Sequence, residues 1–350
     1  MSDYGLCRYN PAAMNNESSN KQQIWIGIVV SAVCLAAIFL FIKPSEIVNA
    51  LASAQFGYLA LGALGLVIFM IIRAVRWRFM LNNQASWSQV YHVQNIGYML
   101  TQLLPLRLGD VARAILIGNV PPITLAQGVS TMVVERILDL LFFIVLLPLT
   151  LSEVKTIPVW MQNYARGLGF ASLGLIVILI AAANLRPFTR RITSTIFNWI
   201  PFLNTENWVR RVDELLAGLS NLTRLKDGLI LIFLSIVVWL PVIFAYRMVL
   251  TAVHLQTNWV MTAFIVCAAA FSVAAPSSPG QVGVFHAAVT FALVQVLRQP
   301  EGASASFAFL YHALNMITMI ALGIIGLFRT GATFKQVVAS ARRFRQQSTA

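Results

Sequence analysis

With 350 residues, 58% of them hydrophobic and only 11% charged, and a mean hydropathy of +0.76, this chain lies outside the range of soluble globular domains. Its apolar runs leave almost no polar stretch long enough for a soluble domain, so the composition predicts an all-α polytopic membrane protein. The net charge of +13 reads as membrane topology and attraction to anionic lipid rather than nucleic-acid binding.

In chain order, residues 1–23 are polar and form a cytoplasmic N-terminus with no convincing cleavage site, so the first span is expected to stay as an uncleaved anchor. A crossing helix needs about 20 apolar residues. Segments 24–42, 56–72, 128–151, 167–184, 228–250 and 303–328 qualify, which gives about six full transmembrane helices. Two further regions, 88–118 and 259–297, are each long enough for a pair of helices but are broken, at Pro105 and at Pro276 to Gly280. Each is expected to form a re-entrant or broken helical hairpin. The order of two spans, hairpin and one span then occurs twice with opposite starting sides, which predicts an inverted repeat of the kind transporters use.

Orientation follows from where lysine and arginine collect. Arg73, Arg76 and Arg78, seven basic residues between Arg186 and Lys226, and the basic tail 329–350 are all assigned to the cytoplasmic side. Both termini are therefore expected in the cytoplasm of a multi-pass cell-membrane protein, with 24–328 as its transmembrane domain. Within 185–227, Trp208, Val212, Leu215, Leu219 and Leu222 recur at helical spacing. That pattern predicts a cytoplasmic amphipathic segment, lying on the inner leaflet or packed on the protein itself.

The candidate chemistry lies in charges that a membrane should exclude. Arg107, Asp110, Arg113, Glu135, Arg136, Asp139 and Arg247 fall in or beside apolar helices. Each costs about 2.5–3.5 kcal/mol at a span centre, so they must pair or line a wet cavity. Arg107, Asp110 and Arg113 share one helical face, and Glu135 and Asp139 are one turn apart. The acidic pair therefore predicts an arginine opposite, from Arg107, Arg113 or Arg247, with Arg136 also in reach of Asp139. The seven sum to +1, which an anionic phosphate would balance. Buried salt bridges that only fix helix packing are the competing reading.

A second feature is "PSSPGQVGVFH". Pro276 ends a half-helix, and Ser277, Ser278, Gly280 and Gln281 read as a helix restart, with Ser278 as N-cap, Pro279 in first position and Gln281 closing a capping box. This restart would aim backbone N–H groups toward the segment between Arg107 and Arg113. His286 lies just beyond it, as a hydrogen-bonded core residue or a proton carrier. The four histidines and three cysteines have no metal-ligand spacing, and no nucleophile with its base is legible, so no catalytic residue, metal site or cofactor is expected.

"RAVRW" (73–77), "PLRLGDVAR" (105–113), "VVERILD" (133–139) and "PSSPGQVGVFH" (276–286) resemble, in this order, the flippase-like transmembrane domain family. That domain is the membrane half of lysylphosphatidylglycerol synthases and also stands alone. The resemblance runs from about Ile24 to Phe328 and implies translocation of a lipid or lipid-linked substrate, with the charged motifs and the Pro-Gly hairpin around the headgroup path. Asp110 stands where the family more often has Glu, and Gln281 and His286 stand where Gly and Glu are usual. Only a short basic tail follows Phe328, so aminoacyl-lipid synthesis is not carried over.

Together these readings predict a translocator of an anionic phospholipid or polyprenyl-phosphate-linked substrate. A homo-oligomer or a partner membrane enzyme fits the same fold. The alternatives are a lipid-headgroup-modifying enzyme and a membrane subunit that recruits a glycosyltransferase or synthase.

Overall fold

The computed structural model describes residues 52–104, 108–152, 154, 158–184, 225–272 and 279–348, with isolated positions at 29, 45 and 49. The expected first span and nearly all of the amphipathic segment 185–227 lie outside the described residues. Every regular element is helical: α1 Phe56–Met80, α2 Trp87–Leu103, α3 Leu108–Gly118, α4 Leu125–Leu151, α5 Val159–Asn184, α6 Leu225–Val237, α7 Leu240–Ala252, α8 Trp259–Ser272, α9 Val284–Phe291, α10 Glu301–Thr330 and α11 Phe334–Ser348.

Among the described residues, three stretches are long and apolar enough to cross a membrane, Phe56–Met80, Lys226–Ala252 and Glu301–Thr330. Their outward faces are apolar: Leu61, Leu64, Ile68, Ile71 and Val75 line one side of α1, and Ile317, Ile324, Ile325 and Phe328 one side of α10, all exposed. Exposed stripes of this length need a lipid environment. Helix α4 has the length of a span but carries Glu135, Arg136 and Asp139.

The two doubtful regions are helical hairpins. In the first, the 17-residue α2 turns back into the 11-residue α3, which rises only about 16 Å, well short of a hydrocarbon core of about 30 Å. Ser86 and Gln89 start α2 with a reciprocal capping box, and Thr124 accepts from the Gln127 N–H at the start of α4. In the second, α8 has 14 residues and α9 has 8, extended by one wide turn over Ala292–Val296.

The expected single span 228–250 is broken in two at Val238–Trp239, because Pro241 supplies no N–H to continue the ladder. Trp239 fills the break, 4.5 Å from Phe143 and 5.9 Å from Phe69 by ring centroids.

The packing pairs come in matching sets. Helix α1 crosses α7 closely, where Gly62 and Gly65 face Val249 and the Pro241 carbonyl. The first hairpin packs on α10 of the second half, and the second hairpin packs on α4 of the first. Likewise α3 lies on α4 as α9 lies on α10. This exchange relation is the one an inverted repeat generates, although the two halves share no convincing residue match. Helix α11 turns back after Gly331 and packs Val337, Val338 and Ala341 against the first hairpin.

Candidate functional site

The first hairpin can approach its neighbours because its crossing points lack side chains. A Cβ at Gly109 would sit 2.0 Å from the Gly97 carbonyl oxygen, and one at Gly97 would sit 2.1 Å from Arg113 Cγ. That contact lets Arg113 pass across α2 and reach α4.

There it joins a buried ionic network. The Glu135 carboxylate accepts from Arg113 Nη1 at 3.2 Å and Nη2 at 3.1 Å, and from Arg73 Nε at 3.2 Å and Nη2 at 2.5 Å. Arg73 Nη2 also donates to Asp139 Oδ2 at 2.6 Å. Arg76 Nη2 pairs with Asp139 Oδ1 at 2.8 Å, and its Nη1 contacts Ser235 Oγ on α6 at 3.4 Å. Arg73, Arg113 and Glu135 are each 1% exposed, Arg76 0% and Asp139 7%. Three buried guanidinium groups thus face two buried carboxylates, an excess of one positive charge among the described residues.

Aromatic faces supply the remaining neutral walls. Arg113 lies 4.3 Å from the centroid of the Trp77 ring and 5.4 Å from that of Tyr98. Arg73 lies 5.4 Å from Phe69 and from Tyr98 and 5.9 Å from Trp239. Trp77 is held in place by its indole N–H, which donates to Thr131 Oγ1 at 3.1 Å. Satisfaction is incomplete: Arg76 Nε and Arg113 Nε are buried with no hydrogen-bond partner among the described residues, and the Arg76 Nη2–Asp139 Oδ1 ion pair lacks hydrogen-bond alignment.

At the edge of the network, Arg136 Nη2 donates to both oxygens of Asp110, at 2.8 and 3.0 Å. This pair is open, with the Arg136 side chain 45% exposed and that of Asp110 23%. Asp110 Oδ1 also lies 3.9 Å from Arg113 Nη1, which links the open pair to the buried ones.

Asp110, Arg113, Glu135, Arg136 and Asp139 are therefore brought together, but two expected pairings change. Arg136 takes Asp110 instead of Asp139, because it projects from α4 on the α3 side while Glu135 and Asp139 face α1. Arg247 is not opposite the acidic pair, since its Nη1 donates to Thr257 Oγ1 at 2.9 Å beside the loop that leads into α8. Arg107 lies outside the described residues. Besides Arg113, the cations of the buried network among the described residues are Arg73 and Arg76, assigned from the sequence to the cytoplasmic flank. They are buried because α1 continues without interruption to Met80. Their i, i+3 spacing on a helix facing an unneutralised acidic pair was the available signal.

The second hairpin departs from the expected helix restart. Ser277 and Ser278 lie outside the described residues. Gly280, Gln281 and Gly283 have φ of +68°, +61° and +88°, which a right-handed helix excludes, so α9 begins at Val284. His286 Nδ1, not Gln281, accepts the N–H at the helix start, from Gly283 at 3.2 Å. His286 is buried, with ring centroids 4.3 Å from Phe309 and 4.7 Å from His312. The second hairpin meets the first where Gly280 lies against Gln102 of α2: a Cβ there would be 3.1 Å from the Gln102 carbonyl oxygen.

A family model described as the lysylphosphatidylglycerol synthase TM region matches residues 24–323. The chain belongs to that family. Among the members of the lysylphosphatidylglycerol synthase transmembrane family and other proteins it resembles is a UPF0104 membrane protein of Methanothermobacter thermautotrophicus. It is 24% identical over 276 residues, covering 73% of this chain and 80% of that protein. Glycosyltransferase AglD of Haloferax volcanii is 24% identical over 332 residues, 84% of this chain and 52% of AglD, so the chain spans about half of that relative's length. No solved structure matches it significantly.

Proposed function

We propose that this family member is a membrane translocator of an anionic lipid or polyprenyl-phosphate-linked substrate, whose headgroup phosphate is held by the arginine cluster that α1, the first hairpin and α4 bring together. The observation that carries this reading is the buried excess of guanidinium over carboxylate, linked by Asp110 and Arg113 to an open Arg136. Buried cations in such excess favour an anion, and arginine takes phosphate through two oxygens at once. The missing partners of Arg113 Nε and Arg76 Nε support the same reading, since buried donors are ordinarily filled. Glu135 and Asp139 hold the arginines in place, and the aromatic walls exclude water without competing for the anion. Gly280, Gln281 and His286 would form the opposite wall.

The test is the lipid that travels with the protein. Mass spectrometry of protein purified in mild detergent should find a phosphate-bearing anionic lipid enriched over its share of the host membrane. Arg136→Gln should lose that enrichment while the melting temperature is kept. Co-purified lipid that mirrors the bulk membrane in both proteins would contradict the proposal.

A second reading, a non-catalytic membrane subunit that works with a glycosyltransferase, is favoured by the long alignment with AglD. It predicts that replacing the network leaves function intact so long as the fold survives.

A further inference from the structure

We infer that Asp110 is an internal stand-in for the substrate: its carboxylate occupies the seat on Arg136 that a phosphodiester headgroup takes by exchange. This inference rests on the proposed anion-binding site and concerns how that site is filled and emptied.

Every other pair in the network is closed. Arg73, Arg76 and Arg113 and their carboxylates are between 0% and 7% exposed, so exchanging any of those partners would strand a buried charge. The Asp110–Arg136 pair is different, because both side chains reach the protein surface and Asp110 can leave Arg136 without stranding a fully buried charge. Its geometry also fits an exchange. One Arg136 nitrogen contacts both carboxylate oxygens at 2.8 and 3.0 Å, and Arg113 stands 3.9 Å from one of them. The two non-bridging oxygens of a phosphodiester can replace those two oxygens.

Charge narrows the ligand class. At rest the seven groups are Arg73, Arg76, Arg113 and Arg136 against Asp110, Glu135 and Asp139, which leaves one positive charge to draw an anion toward the edge. Exchanging the single negative charge of Asp110 for the single negative charge of a phosphodiester leaves that balance unchanged. The bound and empty states then stay close in free energy, as a carrier requires if its cargo is to leave again. A phosphomonoester or pyrophosphate brings more than one negative charge and would change that balance. Position fits too: Asp110 is in the first turn of α3, two residues past the helix start.

The experiment measures binding of dihexanoyl-phosphatidylglycerol to the full chain in detergent by isothermal calorimetry, with dihexanoyl-phosphatidylcholine and inorganic phosphate as separate arms. Asp110→Asn keeps the shape of the side chain and removes the competing charge. It should tighten phosphatidylglycerol binding roughly tenfold, the scale of losing a charged hydrogen-bond competitor. Asp110→Glu restores a competitor and should return affinity to within a few-fold of the parent. Tightening confined to the lipid arm identifies a lipid headgroup, and tightening in the inorganic phosphate arm identifies free phosphate, both by exchange at Asp110. Parent protein that binds phosphatidylglycerol while Asp110→Asn binds it equally or more weakly overturns the exchange and leaves the anion site standing. Absence of binding to both proteins overturns the site itself. Should Asp110→Asn fail to fold, the salt series decides: parent affinity that does not fall between low and high chloride overturns the exchange, because chloride would compete for the same open arginine.

Discussion

At the interface of α3 with α4, the first hairpin meets the following long helix through charge, with Arg113 holding Glu135 at 3.1 and 3.2 Å. At the matching interface of α9 with α10, the second hairpin meets its long helix through rings. There His286 lies 4.7 Å from His312, and Phe285 stacks on Tyr311 at 6.1 Å. The same architecture is thus built once with ions and once without them. Packing alone does not require the charges of the first half, whose burial is costly and whose replacement by apolar groups is often neutral or stabilising in other proteins. Among the described residues the buried ionic network lies in the first half, and that is what assigns this half to the proposed substrate.

The comparison is broken most severely at Glu135. Glu135→Ala leaves Arg73 with only Asp139 and Arg113 with only the 3.9 Å approach of Asp110, and should lower stability by about 3–5 kcal/mol, read from thermal unfolding in detergent. If it costs no more than a surface substitution, the network is not the closed structure described. Next is the crossing that admits Arg113. Gly109→Ala places a methyl group 2.0 Å from the Gly97 carbonyl oxygen and should cost about 1–3 kcal/mol, while Gly167→Ala, with nothing within 4 Å, should change nothing measurable. Chemical accessibility of a cysteine introduced at position 113 would report whether the hairpin has been pushed off α4. The smallest effect belongs to the second hairpin. His286→Ala removes the acceptor for the Gly283 N–H and should cost about 1 kcal/mol of stability. A loss as large as that of Glu135→Ala would mean that the two halves do not divide their roles in this way.

Much of the fold was legible in the sequence because lipid imposes long apolar helices, and a chain that interrupts them must do so for a reason. The breaks at Pro105 and Pro276 to Gly280 therefore marked both hairpins. The acidic pair at Glu135 and Asp139 was legible for the same reason, as was its need for arginine. Which arginine would answer was not. Arg73 and Arg76 follow an apolar run directly and look like topogenic residues at a span end, whereas their burial depends on how α1 lies across α3 and α4. Arg247 looked intramembrane by position along the chain, but the break at Trp239 and the start of α8 give it Thr257 as its partner. At "SSPGQ" local capping preferences suggested a helix start, but three positive-φ residues between Gly280 and Gly283 delay the helix to Val284. Tertiary contact with Gln102 at the meeting of the hairpins lies outside anything local spacing encodes.

The most direct test is lipid sidedness in liposomes reconstituted with the purified chain, using fluorescent phosphatidylglycerol and phosphatidylcholine and a membrane-impermeant quencher. The account predicts that the parent protein moves phosphatidylglycerol between leaflets faster than phosphatidylcholine, and that Arg136→Gln abolishes the difference while keeping the parent melting temperature. Equal rates for the two lipids, or an undiminished phosphatidylglycerol rate in Arg136→Gln, would contradict it.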